Sequence, residues 1–175
     1  MIEYSHMTII EGDSESAESE AKKICVSILG EKFRYKIEKS ICSDIIFIDS
    51  KLKKSIGIDD IRKIQKDILL SPIECDSKIY IFKNSQNITE QGQNALLKVL
   101  EDPPKNVNFI FLCTNHRKLI QTIISRSSII FLNNKGDSLQ NYEDDLVDAV
   151  LSDNKFEILR LSSKDMDFFS KIYVL

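Results

Sequence analysis

Five short apolar runs limit what this chain can fold into: Met7 to Ile10, Ile45 to Ile48, Ile79 to Phe82, Phe109 to Cys113 and Ile129 to Leu132. Four of the five are almost continuously apolar and rich in Ile and Phe. A strand with one wet face alternates apolar with polar residues, whereas a strand apolar at nearly every position is covered on both faces, as in parallel sheets flanked by helices. Stretches of helical spacing lie between the runs. Ala17, Ala21, Ile24, Cys25, Ile28 and Leu29 form one stripe that stops at Gly30, a residue suited to a left-handed helix end. Ile58, Ile61, Ile64, Ile68 and Leu69 form a second, which halts before Pro72. Ala95, Leu96, Val99 and Leu100 share a third face, with Gln93, Lys98 and Glu101 facing elsewhere. Pro103 and Pro104 bar the helical conformation for the residues before them and end that helix near Glu101. Buried strands alternating with amphipathic helices predict a three-layer α/β/α sandwich on a five-stranded parallel sheet, with any ligand at the carboxyl ends of the strands.

From Ser138 the pattern changes. Leu139, Tyr142, Leu146 and Val150, then Phe156, Leu159 and Phe168, recur at helical spacing without a strand-like run. The expected organisation is an α/β domain over residues 1–134 and a short helical extension over 135–175. A net charge of −3 gives no global footprint for nucleic acid. No apolar run approaches the ~18 residues of a membrane span, and Met1 to Tyr4 lacks the basic, apolar opening of a signal sequence. A cytoplasmic protein with no membrane partner is expected. Cys25, Cys42, Cys75 and Cys113 are scattered, with no C-x-x-C pair and only His6 and His116 to assist. They read as four free thiols, not as a metal site.

A phosphate-binding loop has the form G-x-x-x-x-G-K-[ST] between a strand and a helix: backbone N–H groups wrap the phosphates, the Lys neutralises them and the hydroxyl holds Mg²⁺. After Ile9-Ile10 that frame places Gly12 first, Ala17 at the second Gly, Glu18 at the Lys and Ser19 at the hydroxyl. Asp13, Glu15, Glu18 and Glu20 would meet the phosphates with carboxylates, but they suit the positive N-terminus of the following helix. Lys22 or Lys23 could serve only in a variant loop. The second nucleotide strand of such proteins ends in acids that hold the metal. Here Ile79-Tyr80-Ile81-Phe82 runs into Lys83-Asn84. No nucleotide cofactor is expected.

The order Lys54-Ser55-Ile56-Gly57-Ile58-Asp59-Asp60-Ile61-Arg62, Lys78 to Phe82, Asn94 to Pro104, Thr114-Asn115 and Ser125-Arg126-Ser127 resembles the first domain of DNA polymerase III delta-prime subunits. These are clamp-loader AAA+ proteins, and the resemblance covers Met7 to Leu132. It implies a five-stranded parallel sheet followed by a helical lid and a collar domain. It also implies a subunit that hydrolyses no ATP and works beside gamma/tau and delta subunits to load a sliding clamp onto primed DNA. By the same resemblance Arg126, with Ser125, is an arginine finger acting in trans. Thr114 and Asn115 take the sensor-1 position, and Arg62 and Lys66 are DNA-phosphate contacts. Read from residue type alone, Asn94 caps or bridges its helix, Thr114-Asn115 form a strand-end turn, and Asp59 pairs with Lys63 at i,i+4.

The sequence departs from the pattern in three places. Only Cys42 lies near the segment that carries the family's zinc module, Ser127 replaces a Cys, and the chain stops at Leu175 where the lid and collar should continue, as in a fragment or a shortened relative. Three other functions fit the residues less closely: an active AAA+ clamp-loader ATPase with an atypical loop, a stand-alone interaction module of AAA+ descent, and a clamp-loader motor subunit with a damaged loop. The last is disfavoured by the loss of both nucleotide motifs.

Overall fold

The computed structural model describes residues 6–49 and 55–132. Lys54 and the helical stripes expected beyond Ser138 lie outside the described residues. Elements follow in the order β1 (Met7–Glu11), α1 (Ser14–Leu29), α2 (Arg34–Glu38), β2 (Ile45–Asp49), α3 (Ile58–Ile68), β3 (Lys78–Lys83), α4 (Glu90–Glu101), β4 (Val107–Cys113), α5 (Gln121–Ile124) and β5 (Ser128–Phe131). Each apolar run supplies a strand. The sheet is parallel throughout, in the order β2-β3-β4-β1-β5.

Register explains why the strands are apolar on both faces. Met7 pairs with Phe109 and Ile9 with Phe111, while Tyr80 pairs with Phe109 and Phe82 with Phe111. These side chains project to one face, where they meet Ile61 and Ile68 of α3, Leu96 and Leu100 of α4 and Ile123 of α5. The alternate residues Ile10, Ile79, Ile81, Ile110 and Leu112 project to the other face and meet Ala17, Ala21, Ile24 and Cys25 of α1. Tyr80 stacks on Phe109 at 5.8 Å between ring centroids and Phe82 on Phe111 at 4.9 Å. All four rings are essentially buried, and each contributes about 1.5–3 kcal/mol by leaving water.

Two expectations about helix faces change. Leu69 is 80% exposed, because α3 ends at Ile68 and the chain turns away before Leu69 can join the stripe. Gln93 is buried, 3% exposed. Its amide finds backbone partners inside, so a polar side chain occupies the inner face of α4. The consequence of the strand order is at the carboxyl edge, where β1 lies between β4 and β5 and β3 adjoins β4. The turns after β1, β3 and β4 therefore converge.

Candidate functional site

At that edge the turn after β1 is only Gly12 and Asp13, for α1 begins at Ser14. The helix expected from the Ala17 stripe begins a turn earlier, at Ser14, so Ala17, Glu18 and Ser19 all lie within α1. Asp13 explains the early start. Its Oδ1 accepts the N–H of Glu15 at 3.1 Å and of Ser16 at 2.9 Å, satisfying donors that a phosphate loop would offer to its ligand. The Ser16 hydrogen bonds hold the Asp13 carboxyl below its ordinary range. Gly12 donates its N–H to the Cys113 carbonyl at 3.0 Å. A Cβ there would come within 2.9 Å of the Leu132 Cβ, so the chain runs close against the end of the neighbouring strand.

Glu18 and Lys83 meet across this edge. Lys83 Nζ donates to Glu18 Oε2 at 2.5 Å and sits 4.8 Å from the Phe47 ring centroid, while Lys22 Nζ lies 3.6 Å from Glu18 Oε1. Partial burial raises the Glu18 pKa, but Lys83 and Lys22 outweigh it and leave the carboxyl below its usual value. Glu18 of α1 is thus an anion held against the Lys83 cation at the end of β3. The recess among Gly12, Ser14, Ala17, Lys83, Asn84 and Thr114 encloses about 20 Å³, space on the scale of a single water. Lys23 is paired with Glu20 at 2.8 Å. Asn84, left-handed at φ 52°, ends β3 and donates its side-chain N–H to Asp49 Oδ1 at 3.2 Å.

Beyond β4, Thr114 and Asn115 are exposed. Asn115 Oδ1 accepts the Arg117 N–H at 2.9 Å and caps a short 3-10 turn at His116–Lys118. That turn is anchored by Glu11, whose Oε2 accepts the His116 backbone N–H at 2.6 Å and lies 2.6 Å from His116 Nδ1. Asn94 is exposed on α4. Its neighbour Gln93 makes the bridge: Nε2 donates to Ile88 O at 3.1 Å and Lys118 O at 3.3 Å, and Oε1 accepts the Ile120 N–H at 2.7 Å. These bonds fix the segment that leads into α5. Periodicity gave no signal for Gln93, because nothing local distinguishes it from an exposed glutamine.

α5 delivers Arg126 to the surface just before β5. Its Nη1 donates to Thr122 O at 3.0 Å and its Nη2 to Glu101 Oε1 at 3.5 Å, and the side chain stays 42% exposed. Ser125 Oγ donates to Thr122 O at 3.3 Å and Ser127 Oγ to Ile123 O at 2.8 Å. Glu101 closes the helix of the Asn94 to Pro104 block, so the two sequence motifs adjoin in space. Arg62 and Lys66 are exposed on α3, which packs on the sheet face opposite α1. Asp59 pairs with Arg62 at 3.2 Å, one turn position short of the expected Lys63. Among the described residues no group of three or more His, Cys, Asp or Glu is arranged to hold a metal. No described helix is long and apolar enough to cross a membrane.

A five-stranded parallel sheet in this order, with helices on both faces, makes a three-layer α/β/α domain. The crystal structure of a DNA polymerase III gamma subunit-related protein from Thermotoga maritima shares the fold, with a TM-score of 0.57 and 23% identity over 95% of this chain and 56% of that one. Residues 4–136 match the family described as DNA polymerase III, delta subunit, and the chain belongs to that family. The delta' subunit of Buchnera aphidicola subsp. Baizongia pistaciae is 31% identical over 119 residues, 67% of this chain and 35% of the relative. The gamma subunit of Buchnera aphidicola subsp. Acyrthosiphon pisum is 37% identical over 90 residues, 51% of this chain and 24% of the relative. The chain thus spans about a third or less of these curated relatives.

Proposed function

We propose that this chain is a non-catalytic, delta-prime-like subunit of a DNA polymerase III clamp loader. It holds no ATP of its own and supplies Arg126 in trans to ATP on an adjoining motor subunit. The observation that carries the reading is the Glu18–Lys83 pair at 2.5 Å. A Mg-triphosphate needs a cation against its phosphates and a carboxylate against its metal. Here those two charges are exchanged and already neutralise each other. ATP would have to open the pair and bring its phosphates against Glu18 and Asp13. At ~4 Å each such repulsion is about 4 kcal/mol in a surface-like dielectric. Arg126 is accessible, and a planar, always charged guanidinium suits the charge that develops on a transferring phosphoryl group.

The remaining assignments follow from the same reading. Gamma/tau and delta subunits are the partners, with the sliding clamp and primed DNA reached through the complex in the cytoplasm. Ser125 supports Arg126, Thr114 and Asn115 keep the sensor-1 place without a nucleotide to sense, and Arg62 and Lys66 face DNA phosphates. The α/β domain ends near residue 134, and residues 135–175 begin the lid. Isothermal titration with millimolar Mg-ATP tests the first half: the expected result is no saturable heat, and stoichiometric binding overturns it. Reconstitution of the full-length subunit with its motor partners tests the second, through the ATPase of an Arg126→Ala complex.

A further inference from the structure

At the opposite edge of the sheet, Cys42 and Cys75 bring their Sγ atoms to 3.7 Å although 33 residues separate them. Cys42 precedes β2 and is buried; Cys75 precedes β3 and is partly exposed. The contact is held from both sides. Asp44, itself fully buried, accepts consecutive backbone N–H groups from Ile73 at 2.7 Å, Glu74 at 2.7 Å and Cys75 at 2.8 Å. Glu74 returns the connection by accepting the Ser43 N–H at 2.8 Å and pairing with Lys36 of α2. Neither sulfur is needed for the nucleotide position or for Arg126.

We propose that Cys42 and Cys75 are a reversible disulfide-forming pair, oxidised by exchange with a small disulfide such as oxidised glutathione. The Cys75 thiolate attacks one sulfur of glutathione disulfide, forming a mixed disulfide and releasing one glutathione thiolate. The Cys42 thiolate then attacks the Cys75 sulfur, forms the Cys42–Cys75 bond and expels the second glutathione. The protein gives up two electrons and two thiol protons, and glutathione disulfide becomes two glutathione thiols. Only the partly exposed Cys75 can be reached first, which fixes the order. The bond requires the sulfurs to close from 3.7 Å to the ~2.05 Å of a disulfide, between segments that Asp44 and Glu74 already tie together.

The surroundings set the rate. Burial, Cys42 and the Asp44 and Glu74 carboxylates push the Cys75 thiol up to about 12. The nearby cation Lys36 is already engaged with Glu74. Cys25 of α1 also faces Cys42, and burial pushes it up to about 12. Exchange is therefore slow at pH 7 and accelerates about tenfold per pH unit toward pH 9 as the thiolate fraction grows.

The test is thiol counting on the reduced full chain after incubation with oxidised glutathione at pH 8.5. The expected product has lost two of its four thiols, weighs 2 Da less and yields a non-reduced peptide joining Cys42 to Cys75 (the mass follows from two hydrogens). Its Tm rises by roughly 5–10 °C, since the bond closes a long loop. Cys42→Ser should stop at a glutathione adduct on Cys75, and Cys75→Ser should keep its thiols. Four free thiols in the treated wild type, or a link through Cys25 or Cys113, would overturn the proposal even if a serine variant folded poorly.

Discussion

Glu18 of α1 and Lys83 of β3 are 65 residues apart in the chain and 2.5 Å apart in the fold. Glu18 is a carboxylate and Lys83 a cation, so each side chain neutralises the other across the carboxyl edge of the sheet. The pair joins α1 to the sheet without a ligand, and its energetic signature can be measured.

Glu18→Ala should destabilise the domain by about 1–2 kcal/mol, since it leaves the partly shielded Lys83 without its partner. The exchanged double variant Glu18→Lys with Lys83→Glu should recover most of that loss. Urea denaturation of both variants checks this; a double variant no more stable than the single one refutes pairwise coupling.

The same carboxylate contributes a pH dependence of defined sign. Because the folded Glu18 pKa is depressed, its stabilisation is present above the unfolded value near ~4.3 and is lost as pH falls through the folded value. Glu18→Gln should therefore flatten the acid limb of Tm against pH.

Asp44 should be the most sensitive carboxylate in the described fold. Burial raises its pKa, but three backbone N–H groups outweigh that and leave it lowered. Asp44→Ala should cost about 3 kcal/mol, because it leaves buried donors unsatisfied. Asp44→Asn should cost less and should remove Asp44's contribution to acid unfolding, which sets in below the unfolded value near ~3.9. Chemical denaturation at pH 7 and pH 3 separates the two effects.

Gln93→Leu should cost about 2–3 kcal/mol despite its apolar replacement, since the Ile120 N–H and the Ile88 and Lys118 carbonyls lose their partner. Hydrogen exchange should report faster opening of residues 118–126 than of the sheet. Uniform protection would show that the bridge does not organise this segment.

Arg126→Ala should change the stability of the chain by less than ~1 kcal/mol, as expected for an exposed pair. In the reconstituted full-length complex it should lower DNA- and clamp-stimulated ATP hydrolysis by about tenfold or more at the adjoining site. Wild-type rates of hydrolysis and clamp loading would leave Arg126 a surface residue paired with Glu101.

The strands and major helices were legible in the residues. Ile79 to Phe82, without a charged position, suits a strand covered on both faces, and the Ala17 to Leu29 stripe repeats at helical spacing. Pro103 and Pro104 fixed the end of α4 by local sterics. The Gly12 to Ser19 frame was only partly legible, because whether a turn stays open or becomes helix depends on the Asp13 cap and on how near Leu132 lies. Leu69 and Gln93 leave the faces their spacing predicts, since a helical wheel carries neither where the helix stops nor which polar groups find partners inside.

By itself the sequence determined the alternation of strand and helix, the charges at Glu18 and Lys83, and the Ser125-Arg126 order, all of which are local properties of the chain. Tertiary structure alone decided the order β2-β3-β4-β1-β5 and, through it, every meeting of distant residues: Glu18 with Lys83, Arg126 with Glu101, Cys42 with Cys75. Periodicity fixes which side of a strand is apolar but not which strand lies beside it. That choice is made by packing two cores at once on a single twisted sheet.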